Sequence, residues 1–392
     1  MLDRIPEVQA LLRERSLDAW LLYDFKGQNP TATSAMALQG HMLTRRWAYL
    51  IPSEGEPTLL VHAIEVGSMP KKPGRVATYA GWKAFHDAMK ALLASRGRVA
   101  MEYCPMGAIP YLSRVDAGTL ELVRSFGVEV VSSADLVQHF LCVLDDWQIE
   151  SHVRAAKAMD RCRESAYDFV RKEVRAGRPP LEADVQRVMM ESFAKDGIVT
   201  DHPPIVAVNA HAGDPHYVPG RTPTPVREGD LLLLDLWGKE NHPRAVHADI
   251  TWMAFVGKEP SARHREVWDV VAGGRDVGVE RVRQASAKGE RLEGWMVDRA
   301  VRDYIDSKGF GERFVHRTGH NIDAAHVHGD GANLDDFETH DTRTLVPGLC
   351  FSVEPGVYLP EFGIRSEIDV VLLKDGPKIF TSVQKEIVAL LG

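Results

Sequence analysis

The chain has 392 residues, with 47 Lys and Arg against 55 Asp and Glu, a net charge of −8. That length is more than one ordinary core holds and implies two domains. Hydrophobic residues make up 44% and charged residues 26%, with no long polar tract, which excludes a disordered chain. An acidic chain without a basic, aromatic-laced patch is a poor nucleic-acid binder. No apolar run approaches the roughly 18–20 residues that span a bilayer. Residues 1–20 are amphipathic and charged, without the apolar centre of a secretory signal. The expectation is a cytoplasmic protein that binds neither nucleic acid nor membrane.

The first segment opens with a helix over 6–15, where Pro6 fits an early turn because its missing N–H costs nothing there. DAWLLYD, RRWAYLIP and PTLLVHA read as strands, the last two separated by the turn-like SEGE. A helix over 83–95 leads through Gly97 into RVAMEY, and a helical piece over 119–125 leads into VEVVSS. Ser133 is placed to cap a short helix over 134–140. Strands alternating with helices imply a small α/β domain. Within it Arg45 and Arg46 precede a strand; they are either solvated charge or reach an anionic ligand, including one in a neighbouring subunit.

After Asp146 the pattern changes. A long helix over 149–176 ends at Gly177, Pro179 and Pro180, and a second covers 181–194. DHPPIVAVNAHAGDPHY is part strand and part loop, and VREGDLLLLDLWG and HADITWMAFVG are two apolar strands. Helices fit 262–286 and 289–308. FVHRTGH, LCFSVEPGVY, SEIDVVLLKDG and PKIFT are strands and loops. The second block is therefore α+β, with helices grouped against a mostly antiparallel sheet. The expected domains are 1–145 and 146–392. Cys104, Cys142, Cys162 and Cys350 form no Cys-x-x-Cys pair, so neither a thiolate zinc site nor a disulfide framework is expected. Cys350 reads as a buried thiol in a core strand.

Four acidic residues stand out because each is embedded in apolar sequence. Asp235 ends a run of four leucines, Asp249 sits in ADITWMAFV, Glu354 in FSVEPG and Glu367 in RSEIDVV. An ionised carboxylate is costly to bury without a partner. Two adjacent strands would put Asp235 and Asp249 on one face, and metal binding would relieve both. Asp369 lies two residues beyond Glu367, on the same side of a strand, and is a rival ligand or a supporting partner. His320, between polar, glycine-containing turns, adds a nitrogen donor. Four carboxylates and a neutral imidazole sum to a formal −4, which two divalent cations balance. The oxygen-rich set favours Mn²⁺; Zn²⁺ or Co²⁺ are alternatives.

With HRTGH, EPGVY and GIRSE beside these ligands, the chain resembles the pita-bread metallopeptidases, family M24, which include creatinase, prolidase and methionine aminopeptidase. Within that family it is most similar to the proline-specific branch, the Xaa-Pro dipeptidases (prolidases) and Xaa-Pro aminopeptidases. The resemblance implies an α+β fold, with a C-terminal pita-bread (creatinase/methionine-aminopeptidase-like) domain and a smaller N-terminal α/β creatinase-like domain. The family's Asp, Asp, His, Glu, Glu order falls on Asp235, Asp249, His320, Glu354 and Glu367. The two aspartates are 14 residues apart, wider than the family pattern, and KENHPRAVH fits a longer hairpin loop. The family's second histidine falls seven residues after the ligand histidine, where this chain has Val327 between His326 and His328. His328, followed by Gly-x-Gly, is the choice and His326 the alternate. His216 and His316 match two further active-site histidines. His202, His211, His242, His247 and His340 have no such match and read as surface or packing residues.

The resemblance also implies a mechanism. Two metals share a water, with Asp235 and Glu367 bridging them, Asp249 completing one shell, and His320 and Glu354 the other. The bridging hydroxide attacks the carbonyl carbon before proline. His328 stabilises the oxyanion, and Glu354 passes the water's proton to the departing proline nitrogen. His216, His316 and Tyr358 adjoin the substrate, and Arg365 either positions it or orients Glu367. A dipeptidase must recognise the carboxylate after proline; Arg365, with Arg45 or Arg46 of a partner subunit, would do this. The expected function is an Xaa-Pro dipeptidase for short proline-containing peptides, working as a homodimer. An Xaa-Pro aminopeptidase is the alternative. A creatinase-type C–N hydrolase and a catalytically silent binding module are less favoured.

Overall fold

The computed structural model describes residues 1–215, 217–220 and 223–392. The chain divides into two compact units, Met1–Leu141 and Cys142–Gly392.

In the first unit, strands β1 (Ala19–Asp24), β2 (Trp47–Pro52), β3 (Thr58–His62), β4 (Arg75–Tyr79), β5 (Arg98–Met101) and β6 (Glu129–Ser132) form one sheet in the order β4-β3-β2-β1-β5-β6. Its helices are α1 (Ile5–Glu14), α2 (Pro30–Ala35), α3 (Trp82–Leu92), α4 (Ala117–Ser125) and α5 (Ala134–Val137). Every residue of β1 and β2 is buried, which is why these strands read as continuous apolar runs. Two elements gave no sequence signal. Helix α2 is built from small residues without apolar periodicity, and it is started by Asn29, whose side chain accepts the Ala32 N–H at 3.0 Å. Strand β4 lies at the sheet edge with only Tyr79 buried, so it shows no apolar alternation. Ser133 stands before α5 but does not cap it. Its hydroxyl donates instead to the buried Glu102, at 3.0 Å, which also receives Trp20 Nε1 and Asn29 Nδ2. A buried carboxylate is the stronger acceptor and recruits the donor.

The second unit begins with α6 (Asp146–Arg175) and α7 (Glu182–Asp196), followed by β7 (Ile198–Val199), β8 (Ile205–Val208), β9 (Leu231–Glu240) and β10 (Ala248–Phe255). Helices α8 (Ala262–Lys288) and α9 (Gly294–Ser307) come next, then β11 (Asn321–Ile322), β12 (Cys350–Val353), β13 (Gly356–Tyr358), β14 (Gly363–Arg365), β15 (Ile368–Leu373), β16 (Gly376–Ile379) and β17 (Val388–Ala389). One sheet runs β17-β10-β9-β7 with β8 also on β9, a second runs β11-β12-β15-β16, and β13 and β14 form a hairpin. All these pairings are antiparallel except that of β10 with β17.

The leucine run of β9 is explained by burial on both faces. Leu232, Leu234 and Leu236, with Ala248, Ile250 and Ala254 of β10, pack with side chains of α6 and α7. Leu231, Leu233 and Met253 face the other way, into a core with Val267 and Val271 of α8 and Val301 and Ile305 of α9. Asp235 follows Leu231 and Leu233 on this second face.

Three boundaries differ from the sequence reading. Helix α6 starts at Asp146 because Asp145 and Gln148 form a reciprocal capping box, with bonds of 3.0 and 3.1 Å. Helix α9 starts only at Gly294, since Glu293 bridges to Thr344 and the Gly294 N–H donates to Arg343 O at 3.1 Å. Most of FVHRTGH is loop rather than strand. Thr318 is tied to the buried Asp298, its N–H at 3.0 Å and its hydroxyl at 2.5 Å.

Candidate metal centre

Register places the acidic residues. On β9 and β10, Asp235 pairs with Thr251 and Asp249 with Trp237. Cross-strand partners share a face, and so do residues two apart. Asp235, Trp237, Asp249 and Thr251 thus form one patch. Glu354 directly follows β12 and Glu367 directly precedes β15, two strands paired through Val353 and Ile368. His320 is held over the same place by its loop. Its N–H donates to Ser352 Oγ at 3.0 Å, Ser352 N–H donates to His320 O at 2.9 Å, and Glu354 N–H donates to Thr318 O at 2.8 Å.

Ligand-type atoms of Asp249, His320 and Glu367, all buried, lie within 4.8 Å of one another. His320 Nε2 is 3.7 Å from Asp249 Oδ2 and 3.3 Å from Glu354 Oε1. Asp235 and Glu354 border the same cavity of about 930 Å³ as these three residues. Asp235 is ion-paired with Arg365. Arg365 also donates through Nε to Thr251 Oγ1 at 3.0 Å and through Nη1 to the Tyr358 hydroxyl at 3.0 Å. The Thr251 hydroxyl in turn donates to Glu367 at 2.8 Å. Arg365 therefore orients Asp235 directly and Glu367 through Thr251, and each of its three nitrogens already meets a protein oxygen. Three of its five N–H donors are thus committed to protein oxygens.

Asp369 accepts the Asp249 N–H at 2.8 Å and is fully buried, and it does not border the cavity. It supports the cluster from behind. His328 borders the cavity, its ring 4.1 Å from that of His320, whereas His326 does not border it. His316 also borders it and shares a 2.7 Å hydrogen bond with the Tyr358 hydroxyl. His216 lies outside the described residues. Arg45 and Arg46 border a different cavity, within the first unit, where the Arg46 guanidinium lies 3.9 Å from the centre of the Phe85 ring.

Sequence reasoning passed over four residues here. Thr251 and Ser352 link the candidate ligands; Ser352 Oγ also donates to Glu354 Oε1 at 3.1 Å. Both stood two residues from an expected ligand on a strand, which is the signal that marks them. Asp201 and His202, exposed residues of a loop, border the cavity, and Asp201 accepts the Trp237 indole N–H at 2.6 Å. His202 is exposed, as expected of a surface residue, and also borders the cavity.

The electrostatics fit a cation. Burial, then the charges of Glu367 and Asp235, pushes Asp249 well above the usual carboxylate range. Burial, then Glu354 and Asp235, does the same to Glu367. Burial lifts Glu354 to about 7, with Arg365 opposing and Asp235 adding. Burial also drives His320 well below its ordinary value, so it presents a neutral imidazole. Asp249 Oδ1 is buried and has no hydrogen-bond partner. Crowded carboxylates, an acceptor without a donor and a neutral imidazole are the donor set that divalent cations satisfy.

Gly319 allows this assembly. A Cβ there would lie 2.0 Å from Ser352 O. Gly319→Ala is expected to lower stability by about 1–3 kcal/mol, the usual range for overpacking, and to weaken metal binding by displacing His320. Urea unfolding and metal titration check this; a fully stable variant with unchanged affinity would refute the close approach.

A metal-ligand cluster at a cavity, built where two antiparallel strand pairs meet, defines a metallohydrolase-type site. The model of metallopeptidase family M24 matches residues 150–374, more than half of the chain, and the chain belongs to that family. It is 26% identical over 335 residues to "Probable dipeptidase PepE" of Mycobacterium tuberculosis, covering 85% of this chain and 82% of that protein. It is 30% identical over 217 residues to the "Xaa-Pro dipeptidase" of Lactobacillus helveticus, covering 54% and 51%. The crystal structure of dipeptidase PepE from Mycobacterium ulcerans superposes with a TM-score of 0.78 at 22% identity, over 99% of this chain and 97% of that one. The architecture is the expected one, a C-terminal pita-bread domain with an N-terminal α/β domain. Among the described residues no helix is long and apolar enough to cross a membrane.

Proposed function

We propose that this protein is an Xaa-Pro dipeptidase, hydrolysing the bond before proline in dipeptides. Asp235, Asp249, His320, Glu354 and Glu367 would hold two divalent cations, Mn²⁺ first among them. The observation that carries the reading is the convergence of Asp249, His320 and Glu367, with its partnerless Asp249 oxygen, beside a cavity of about 930 Å³. Membership of family M24 and the dipeptidase names of two sequence relatives support it. When bound, the cations would lower the pKa of a water towards neutrality and polarise the scissile carbonyl.

The protein's own groups have separate tasks. Glu354, lifted to about 7, is matched to taking and returning a proton near neutral pH. An Xaa-Pro bond has no N–H, and its nitrogen must be protonated as the bond breaks, so a returning proton is needed. Ser352 Oγ and His320 fix the Glu354 carboxyl. His328, against His320 and at the cavity, would face the carbonyl oxygen as charge develops there. His316, driven down to about 3 by burial and then by the Arg365 charge, stays neutral and holds the Tyr358 hydroxyl.

The test is metal analysis coupled to hydrolysis of Ala-Pro and of Ala-Pro-Ala with Mn²⁺ added. The expected result is about two metal equivalents per chain, from the two-metal reading of the ligand set, and faster turnover of the dipeptide. Faster turnover of the tripeptide would mean an Xaa-Pro aminopeptidase. A metal-loaded protein that cleaves neither would end the proline-specific reading.

A further inference from the structure

Two sequence features are not accounted for by the metal centre. One is KENHPRAVH, the long connection between the strands of Asp235 and Asp249. The other is the displaced His328 with its Gly-x-Gly. The folded chain joins them. Lys239 and His247, the first and last residues of KENHPRAVH, both hold the loop that carries His328. Lys239 Nζ donates to Ala324 O. The buried His247 donates through Nδ1 to Asp323 O at 3.1 Å, since a carbonyl oxygen only accepts.

The loop itself is wound around two buried side chains, Asn321 and Asp323. Asp323, just beyond β11, accepts the Ala325 and His326 N–H groups through Oδ1, at 2.7 and 2.9 Å. Its Oδ2 accepts the Asp330 N–H at 3.2 Å. One carboxylate thus gathers backbone donors from both sides of His328. Asn321 Oδ1 accepts the Gly331 N–H at 2.8 Å, and its Nδ2 donates to Cys350 O of β12 at 2.9 Å. The Asn321 carbonyl accepts the Gly329 N–H at 2.7 Å and His320 Nδ1 at 3.2 Å. The two glycines supply the room. A Cβ at Gly329 would lie 2.3 Å from Asn321 Oδ1 and 2.6 Å from Asp323 Oδ2, and one at Gly331 would lie 2.6 Å from Asn321 Cγ.

On the reading that His328 serves the reaction, we propose that Asp323 is a positioning residue that aims His328 at the cavity, with Lys239 and His247 completing its frame. A carboxylate that receives backbone N–H groups makes charge-assisted hydrogen bonds, stronger than those of a neutral acceptor. Asn321 ties down both histidines, whereas the Asp323 side chain gathers the turn around His328. Removing that carboxyl therefore disturbs His328 and leaves the His320 tie through Asn321 in place.

The experiment measures Ala-Pro hydrolysis and Mn²⁺ content for wild type, Asp323→Ala, Asp323→Asn, His328→Gln and the double variant Asp323→Ala with His328→Gln. Asp323→Ala should lower kcat about 10- to 100-fold, the usual effect of losing a residue that orients a working group. Its KM should stay within about three-fold, as for a group acting on the chemical step, with Mn²⁺ content unchanged. Asp323→Asn keeps one acceptor oxygen and should recover part of the rate; together with Lys239→Met it carries the test if Asp323→Ala does not fold. Once His328 is replaced, losing Asp323 should cost less than about two-fold more, because residues that act through one another do not add. Full additivity, or Mn²⁺ lost together with activity, overturns the proposal. Imidazole NMR of the Zn²⁺-loaded protein gives a readout free of turnover. The His328 ring signals, recognised by their absence in His328→Gln, should shift in Asp323→Ala; unmoved signals overturn the role of Asp323 whatever the substrate. A wild type that cleaves neither Ala-Pro nor Ala-Pro-Ala, or a His328→Gln variant as fast as wild type, removes the reading beneath the kinetics, and the NMR result then decides on Asp323.

Discussion

Chelation should abolish peptidase activity and lower the melting temperature, and the temperature shift should be larger at pH 8 than at pH 6. The reason is the set of acids left behind. Without cations, burial and then Glu367 push Asp249 well above the usual carboxylate range, burial and then Glu354 do the same to Glu367, and Glu354 is lifted to about 7. For an acid whose folded pKa is raised, the folded state binds more protons than the unfolded chain between the two pKa values. Stability then falls as pH rises through that window. For Glu354 the window runs from 4.5 to about 7, and for Asp249 and Glu367 it extends upward from the ordinary carboxylate range. The metal-free protein should lose stability from mildly acidic to alkaline pH. Cations compete with those protons, so their stabilising effect should grow over the same range. A site saturated at 100 times its dissociation constant adds about 2.7 kcal/mol. Melting curves with and without chelator at the two pH values check this. Equal shifts, or activity surviving chelation with metal shown absent, would refute it.

Arg365→Met should destabilise the metal-free protein by about 3–5 kcal/mol, the usual result of breaking a buried ion pair from one side. Asp235 and Arg365 are both buried, and the same guanidinium holds Thr251 and Tyr358. Methionine fills the space but leaves Asp235 without its countercharge and Thr251 without one of its partners. Since Thr251 holds Glu367, metal affinity should fall as well, by about 10- to 100-fold, as for other residues that orient ligands. Arg365→Lys retains the charge but not the three-way fork, and should recover stability more than metal affinity. Urea unfolding and metal titration of both variants measure these effects. A methionine variant as stable as wild type would show that Asp235 does not depend on the pair.

The candidate ligands could be read from the amino-acid chain because isolated carboxylates are expensive in apolar strands. Asp235 after four leucines and Asp249 within ADITWMAFV announce themselves by cost alone. Thr251 and Ser352 do not, since a hydroxyl in a strand is cheap and common. Arg317, Asp201 and His202 enter the cavity from loops, where no periodicity records which way a side chain turns. Strand β4 escaped for a related reason: an exposed edge has no apolar alternation to detect. Arg365 could be read either as positioning substrate or as orienting Glu367, and only its three hydrogen bonds show that it is tied to Asp235, Thr251 and Tyr358.

Burial costs and strand periodicity act along the chain, so residue order was enough to establish an α+β catalytic block, the acids within it and the family they suggest. Long-range placement obeys no such local rule. Thr251 joins Glu367 across 116 positions and Arg365 joins Asp235 across 130. Which hydroxyl, guanidinium or loop histidine meets the cluster depends on the approach of β9, β10, β14 and β15, an outcome of packing that only the folded chain contains.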